Sequence, residues 1–214
     1  MGPARFYWRP STALCLLVLA PLIQELEAQW RAVGYVPTIV QGPSGDDVRR
    51  ALRAAGFPAP LEIVEWFSWM GGTRQPRELI IPALMRPLGL FESISETRRL
   101  GEVLSATGVE PGEWAPNWLV MDLDAASAVF ELREGHDEVV VREFSVDSRE
   151  FQLEVASRSI GEMLNAWITG LKACPLDVLF ECSKQLPVAV LRAGLGPWES
   201  LDDDTLERLG RNAQ

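Results

Sequence analysis

One histidine, His136, is present in 214 residues, so every His-dependent constellation rests on that position. It falls in a charged turn, "REGHDE", away from any evident cleft, and a catalytic triad has no preorganised base there. Cysteine is equally sparse: Cys15, Cys174 and Cys182 form an odd set without a C-x-x-C pair. That spacing excludes a zinc ribbon and a thioredoxin-like redox motif, and it suits reduced thiols in a cytoplasmic protein. G-x-G-x-x-G, P-loop, H-E-x-x-H and G-x-S-x-G patterns are missing too, and with them the common cofactor and hydrolase signatures. No cofactor and no resident metal are expected.

Basic residues are also in deficit, 20 Lys and Arg against 30 Asp and Glu, for a formal charge of -10. Nucleic-acid binding needs clustered cations to meet phosphates, so this balance argues against it. The excess is uneven: Pro111 to Leu171 holds twelve Asp and Glu against four Arg. Such a half attracts a basic partner and repels polyanions.

A long apolar run is missing as well. Ala13 to Ile23, preceded by Arg5 and Arg9, has the look of a signal-peptide core, but Pro21 interrupts it. A bilayer span needs about 20 apolar residues, and no A-x-A cleavage site follows. Leu22, Leu26, Trp30 and Val33 continue at helical spacing, which predicts an amphipathic helix packed on the domain, with a signal peptide as the alternative.

What is present is the composition of a folded chain, 47% hydrophobic and 23% charged. After the break "QGPSG", Ser44 and Asp47 make a capping-box pattern for a short helix ending at Gly56, with Val48 and Leu52 inward. "FPAP" turns the chain into a second helix, Leu61 to Met70, closed by Gly71 and Gly72. There Ile63, Trp66, Phe67 and Met70 share one face and are expected in the core. Trp69 lies about 60° beyond Trp66, at the margin, and is expected to be half-exposed, packed on a loop or anchoring a partner.

The period then changes to that of strands. "LIIP", "NWLVMDL", "AVFELR", "EVVVREF" and "FQLEV" are short β-rich runs, and "ELREGHDEVVV" reads as a hairpin turning near Gly135. "SRSIGEMLNAWITGLK" follows as a helix capped by Ser159 and Glu162, with Ile160, Leu164, Trp167, Ile168 and Leu171 inward. Helices, an antiparallel meander and a closing helix make an α+β protein. The expected organisation is a helical extension over 1–43, an α+β domain over 44–171 and a helical extension over 172–214, with pieces over Leu176–Leu186 and after Ser200.

Two chemical readings remain. Asp122 and Asp124 in "VMDLD" lie at i, i+2 and could share a hard cation in a carboxylate-only enzyme, or cap turns. Alternatively, Glu131, Glu134, Asp137, Glu138, Glu143, Asp147 and Glu150 form an acidic surface along the hairpin that would steer a cationic protein, or keep a sheet edge from aggregating.

The ordered landmarks resemble the SUKH superfamily. They are a capped helix, a G-x-P turn at Gly56 and Pro58, an aromatic helix ending in Gly71-Gly72 and a W-x-P segment at Trp114 and Pro116. A strand into Asp122, a hairpin and a capped helix with Trp167 complete them. The resemblance covers Ser44 to Leu171. "SISETRRL" fits the place of a short acidic segment entering a helix, though it is more basic than that pattern. This superfamily takes part of its name from a fungal cell-wall synthesis regulator, and its bacterial members are largely immunity proteins of polymorphic toxin systems. The resemblance implies a non-catalytic α+β domain that blocks a toxin domain, often a nuclease or a deaminase. Glu131, Glu134, Asp137, Glu138, Glu143 and Asp147 would then meet the basic toxin, with Trp69, Trp114 or Trp118 as aromatic anchors. A regulatory or scaffold module of the same fold is the alternative. No membrane or nucleic-acid partner is expected under either reading.

Overall fold

The computed structural model describes residues 19–75, 80, 85–106, 115–122, 128–147 and 150–173, without the side chains of 144–153. The cysteines, Trp114, Asp124 and the expected C-terminal helical pieces lie outside these residues.

Among the described residues, five helices and four strands follow in the order α1 (Ala20–Ala32), α2 (Gly45–Ala54), α3 (Leu61–Trp69), α4 (Leu90–Ala106), β1 (Trp118–Val120), β2 (Ala128–Glu131), β3 (Val140–Asp147), β4 (Glu150–Ser157) and α5 (Ile160–Ala173). The strands pair antiparallel in sequential order, so the expected α+β architecture with a β-meander is present. Of the run "LIIP" only Ile80 is among the described residues, where it makes an isolated bridge to Met85.

Local chemistry explains most of the helix boundaries. Pro21 starts α1, where its missing N–H and fixed φ cost nothing. Ser44 caps α2 by accepting from the Asp47 amide at 3.3 Å. Both helices end in the same left-handed device. Gly34 and Gly56 sit at φ +76° and +87°, and the Tyr35 and Phe57 amides reach back to the Trp30 and Leu52 carbonyls at 2.8 and 2.9 Å. In each case the residue after the glycine returns onto its own helix, Tyr35 edge-on to Trp30 at 6.1 Å.

The double glycine after α3 serves a different need. A Cβ on Gly71 would stand 2.8 Å from the Val40 carbonyl oxygen, and one on Gly89 would stand 2.5 Å from that of Gly71. Three backbone segments therefore meet where only hydrogen fits, joined by Gly71 N–H to Val40 O at 2.8 Å and Val40 N–H to Gly72 O at 2.9 Å.

The principal core lies between one sheet face and helices α1, α3 and α5. Trp66 is its centre, with no exposure and edge-to-face neighbours Trp69, Phe130 and Trp167 at 5.5, 5.6 and 6.2 Å. Burial of rings this large is the main stabilising term of the fold. The N-terminal helix packs on the domain as expected, because Leu19, Leu26 and Trp30 join that same core.

On the other face, Leu88, Trp118, Val120 and Val129 form a smaller core backed by Leu100 of α4. Here "SISETRRL" lies wholly inside α4, and two of its hydroxyls face inward. The Val120 amide donates to Thr97 Oγ1 at 2.9 Å, and Ser93 Oγ donates to the Val120 carbonyl. Helix side chains thus satisfy the backbone of an edge strand that would otherwise invite pairing.

Candidate functional site

The acidic residues sit on and around the β2–β3 hairpin, and its connection sets how they are presented. Phe130 pairs with Val141 and Glu131 with Val140, so the loop between them spans 132–139. At its tip the His136 amide returns to the Arg133 carbonyl at 3.3 Å, with Gly135 at φ 77°. A left-handed third position is what such a turn asks of glycine. The hairpin turn is where the sequence places it.

Residues 133–138 are all exposed, whereas Leu132 and Val139 at the two ends are fully buried. The ends are also hydrogen-bonded. Asn117 holds the incoming end, accepting from Leu132 N–H at 2.9 Å and donating from Nδ2 to Leu132 O at 2.8 Å. Glu62 holds the outgoing end, donating its amide to Asp137 O at 3.2 Å and accepting from Val139 N–H at 2.7 Å. Glu134, Asp137 and Glu138 therefore stand on a short loop clamped at both roots. None of the three forms an ion pair among the described residues. Glu134 and Gly135 also wall a hollow of about 440 Å³ with Arg53, Phe57 and Pro58.

The remaining acids of the expected surface are placed differently. Glu131 is bound by Arg133 at 2.8 Å and by Arg142. Burial pushes its carboxyl up, but hydrogen bonds and charge from the two arginines outweigh that and hold it below the ordinary value. Its charge is spent inside the protein. Glu143 pairs with Ala128 and with Glu154, which puts it on the sheet face that carries Phe130, half-buried and turned from the loop. Asp147 pairs with Glu150 at the far end of the β3–β4 hairpin, and both side chains lie outside the described set. Among the described side chains of this set, the outward carboxylates are therefore the three on the loop, Glu134, Asp137 and Glu138.

The aromatic anchors are also corrected. Trp69 is buried, at 9% exposure, because α1 covers the margin of α3. Its ring stacks on Trp30 at 6.1 Å and Nε1 donates to Glu27 Oε1 at 3.0 Å. It forms the floor of a depression of about 300 Å³ that Glu27 and Arg31 both border, so no net charge marks it. Trp118 is 7% exposed and belongs to the smaller core. Neither ring is presented as an anchor.

Asp122 is 4% exposed. Its Oδ1 accepts from Ala128 N–H at 3.3 Å and its backbone bridges Pro87, so the side chain holds the first amide of β2. No group of three or more metal-ligating side chains occurs among the described residues. Among them, no helix is long and apolar enough to cross a membrane.

Sequence reasoning missed Glu62 and Asn117, which set the loop. Glu62 gave no distinct signal: it falls four residues before Trp66 and seven before Trp69, but Glu65 lies on the same helical stripe, so a carboxylate there reads as ordinary. Compared with protein-family models and with curated proteins, the chain matches none.

Proposed function

We propose that the protein is an immunity protein that binds a toxin domain and neutralises it by protein–protein blockade in the cytoplasm. The observation that carries this reading is the clamped, outward acidic loop at Glu134, Asp137 and Glu138 on an α+β frame. The SUKH-like order of capped helices, glycine terminators and meander supports it. So does the charge of -10, which favours a basic partner such as a nuclease or deaminase domain whose cleft is built for phosphate. A loop held at both ends loses little conformational entropy on binding, so its charges act as a preformed surface.

Growth rescue tests the reading. The chain is co-expressed with the toxic C-terminal domain encoded beside its gene, and survival is scored together with co-purification. Survival with a stable complex is expected. Death despite full expression of both chains overturns the pairing.

A further inference from the structure

The proposed docking surface uses only exposed acids, yet a buried carboxylate beneath it accepts three backbone amides. Glu62 is 2% exposed at the start of α3. Its Oε2 accepts from the Val139 amide at 2.7 Å and the Ile160 amide at 3.1 Å, and its Oε1 accepts from the Gly161 amide at 3.0 Å. Ile160 and Gly161 open α5, where backbone N–H groups have no intrahelical acceptor. The next amide, that of Glu162, goes to Ser159 Oγ at 2.9 Å. One carboxylate therefore completes the cap of α5 and roots the acidic loop, while its own backbone belongs to α3. The fit is tight: a Cβ on Gly161 would lie 3.3 Å from Glu62 Oε1.

The site is made of donors. An ionised carboxylate has lone pairs for all three amides, whereas a protonated one turns one oxygen into a hydroxyl whose hydrogen faces N–H groups. We infer that Glu62 is a proton-operated latch: ionised, it locks the loop carrying Glu134, Asp137 and Glu138 to α5, and protonated, it loosens that joint. The segments bonded to it carry Asp137 and Glu138 before Val139, Arg158 and Glu162 on either side of Ile160 and Gly161, and Glu65 three residues along α3, and of these Glu138 is the charge that acts on the carboxyl. Leu22 is the α1 side chain that reaches Gly161. Burial pushes the Glu62 carboxyl above its ordinary value, the Val139, Gly161 and Ile160 amides oppose this, and the Glu138 charge adds to the rise. The amides oppose the rise only while they are bonded, so a Glu62 carboxyl that loses them and stays buried holds its proton more readily than the bonded one, and protonation therefore favours the loosened joint. The consequence for a partner rests on the loop being the docking surface, but the latch itself is tested on the protein alone.

The experiment is amide hydrogen exchange on the full chain, corrected for intrinsic rates, in wild type and Glu62→Gln. At neutral pH the substitution is expected to lower protection at Val139, Ile160 and Gly161 by about tenfold, one hydrogen bond's worth, and to leave Leu132, held by Asn117, unchanged. In wild type the same three amides are expected to lose protection together as pH falls toward 4.5, with no such step in the variant. Wild-type protection at all three positions in Glu62→Gln overturns the latch. So does flat wild-type protection down to pH 4, a result that stands even where the variant fails to fold. Failure of rescue by the charge-reversed loop variant described below bears on the docking reading alone.

Discussion

The Trp69 indole donates to Glu27 Oε1 at 3.0 Å and so ties the end of α3 to the middle of α1. Glu27→Ala leaves that N–H without its acceptor. We expect a stability loss of about 1 kcal/mol in urea unfolding, a comparable loss for Trp69→Phe, and a double variant less destabilised than the sum of the two. Strict additivity would show that the bond contributes nothing.

Trp66 packs against Trp69, Phe130 and Trp167 and has no exposure. Trp66→Ala should cost about 3–5 kcal/mol, read as a shift of the denaturant midpoint. The Trp66 Nε1 has no hydrogen-bond partner among the described residues. Trp66→Phe therefore forfeits volume but no hydrogen bond, and should cost clearly less than the alanine change.

Glu131 gives the acid limb of stability a defined sign. Its carboxyl is held below the ordinary 4.5 by Arg133 and Arg142 against the opposing effect of burial. For a depressed carboxylate the stabilisation is present above the unfolded value and disappears as pH falls through the folded one. Thermal melts from pH 6 down to 2.5 should thus show a steeper loss in wild type than in Glu131→Gln. Parallel curves would remove Glu131 from the account.

For the proposed toxin complex, replacing Glu134, Asp137 and Glu138 together by Lys should abolish rescue, whereas Glu143→Gln should leave it intact, because Glu143 faces the other way. Association should also slow by about tenfold between low and high salt, since exposed charges are screened beyond a Debye length of about 8 Å at physiological ionic strength. Rescue by the triple variant would move the interface elsewhere.

Gly42 and Gly34 should separate packing from backbone strain. A Cβ at Gly42 would lie 1.7 Å from the Phe67 carbonyl oxygen, while Gly34 has open space around it and φ +76°. Gly34→Ala is expected to cost about 1–2 kcal/mol, the left-handed penalty. Gly42→Ala should cost more, because a helix backbone must move. The reverse order in thermal melts would contradict the close approach.

Much of this fold is local and could be read along the chain. Ser44 and Ser159 mark helix starts, Gly34 and Gly56 stand where α1 and α2 leave the right-handed region, and alternation marks the strands that pair as a meander. These signals act over one helical turn or one hairpin, so neighbouring residues suffice to specify them. The acids of the hairpin were equally visible as a count of charges.

Which of those acids remain available was decided by residues far apart in sequence. Arg142 arrives beside Glu131 only when β3 pairs with β2, and Glu143 turns to the core-side face through the same register. Trp69 looked marginal on its own helix and is covered only because α1 folds across it. Glu62 is the clearest case. As a helix-opening glutamate it is unremarkable in sequence, and its acceptors are useful only after the hairpin loop and the first turn of α5 bring their unpaired amides to it. Periodicity states which face a side chain points to, whereas the donors waiting on that face are a property of the assembled chain.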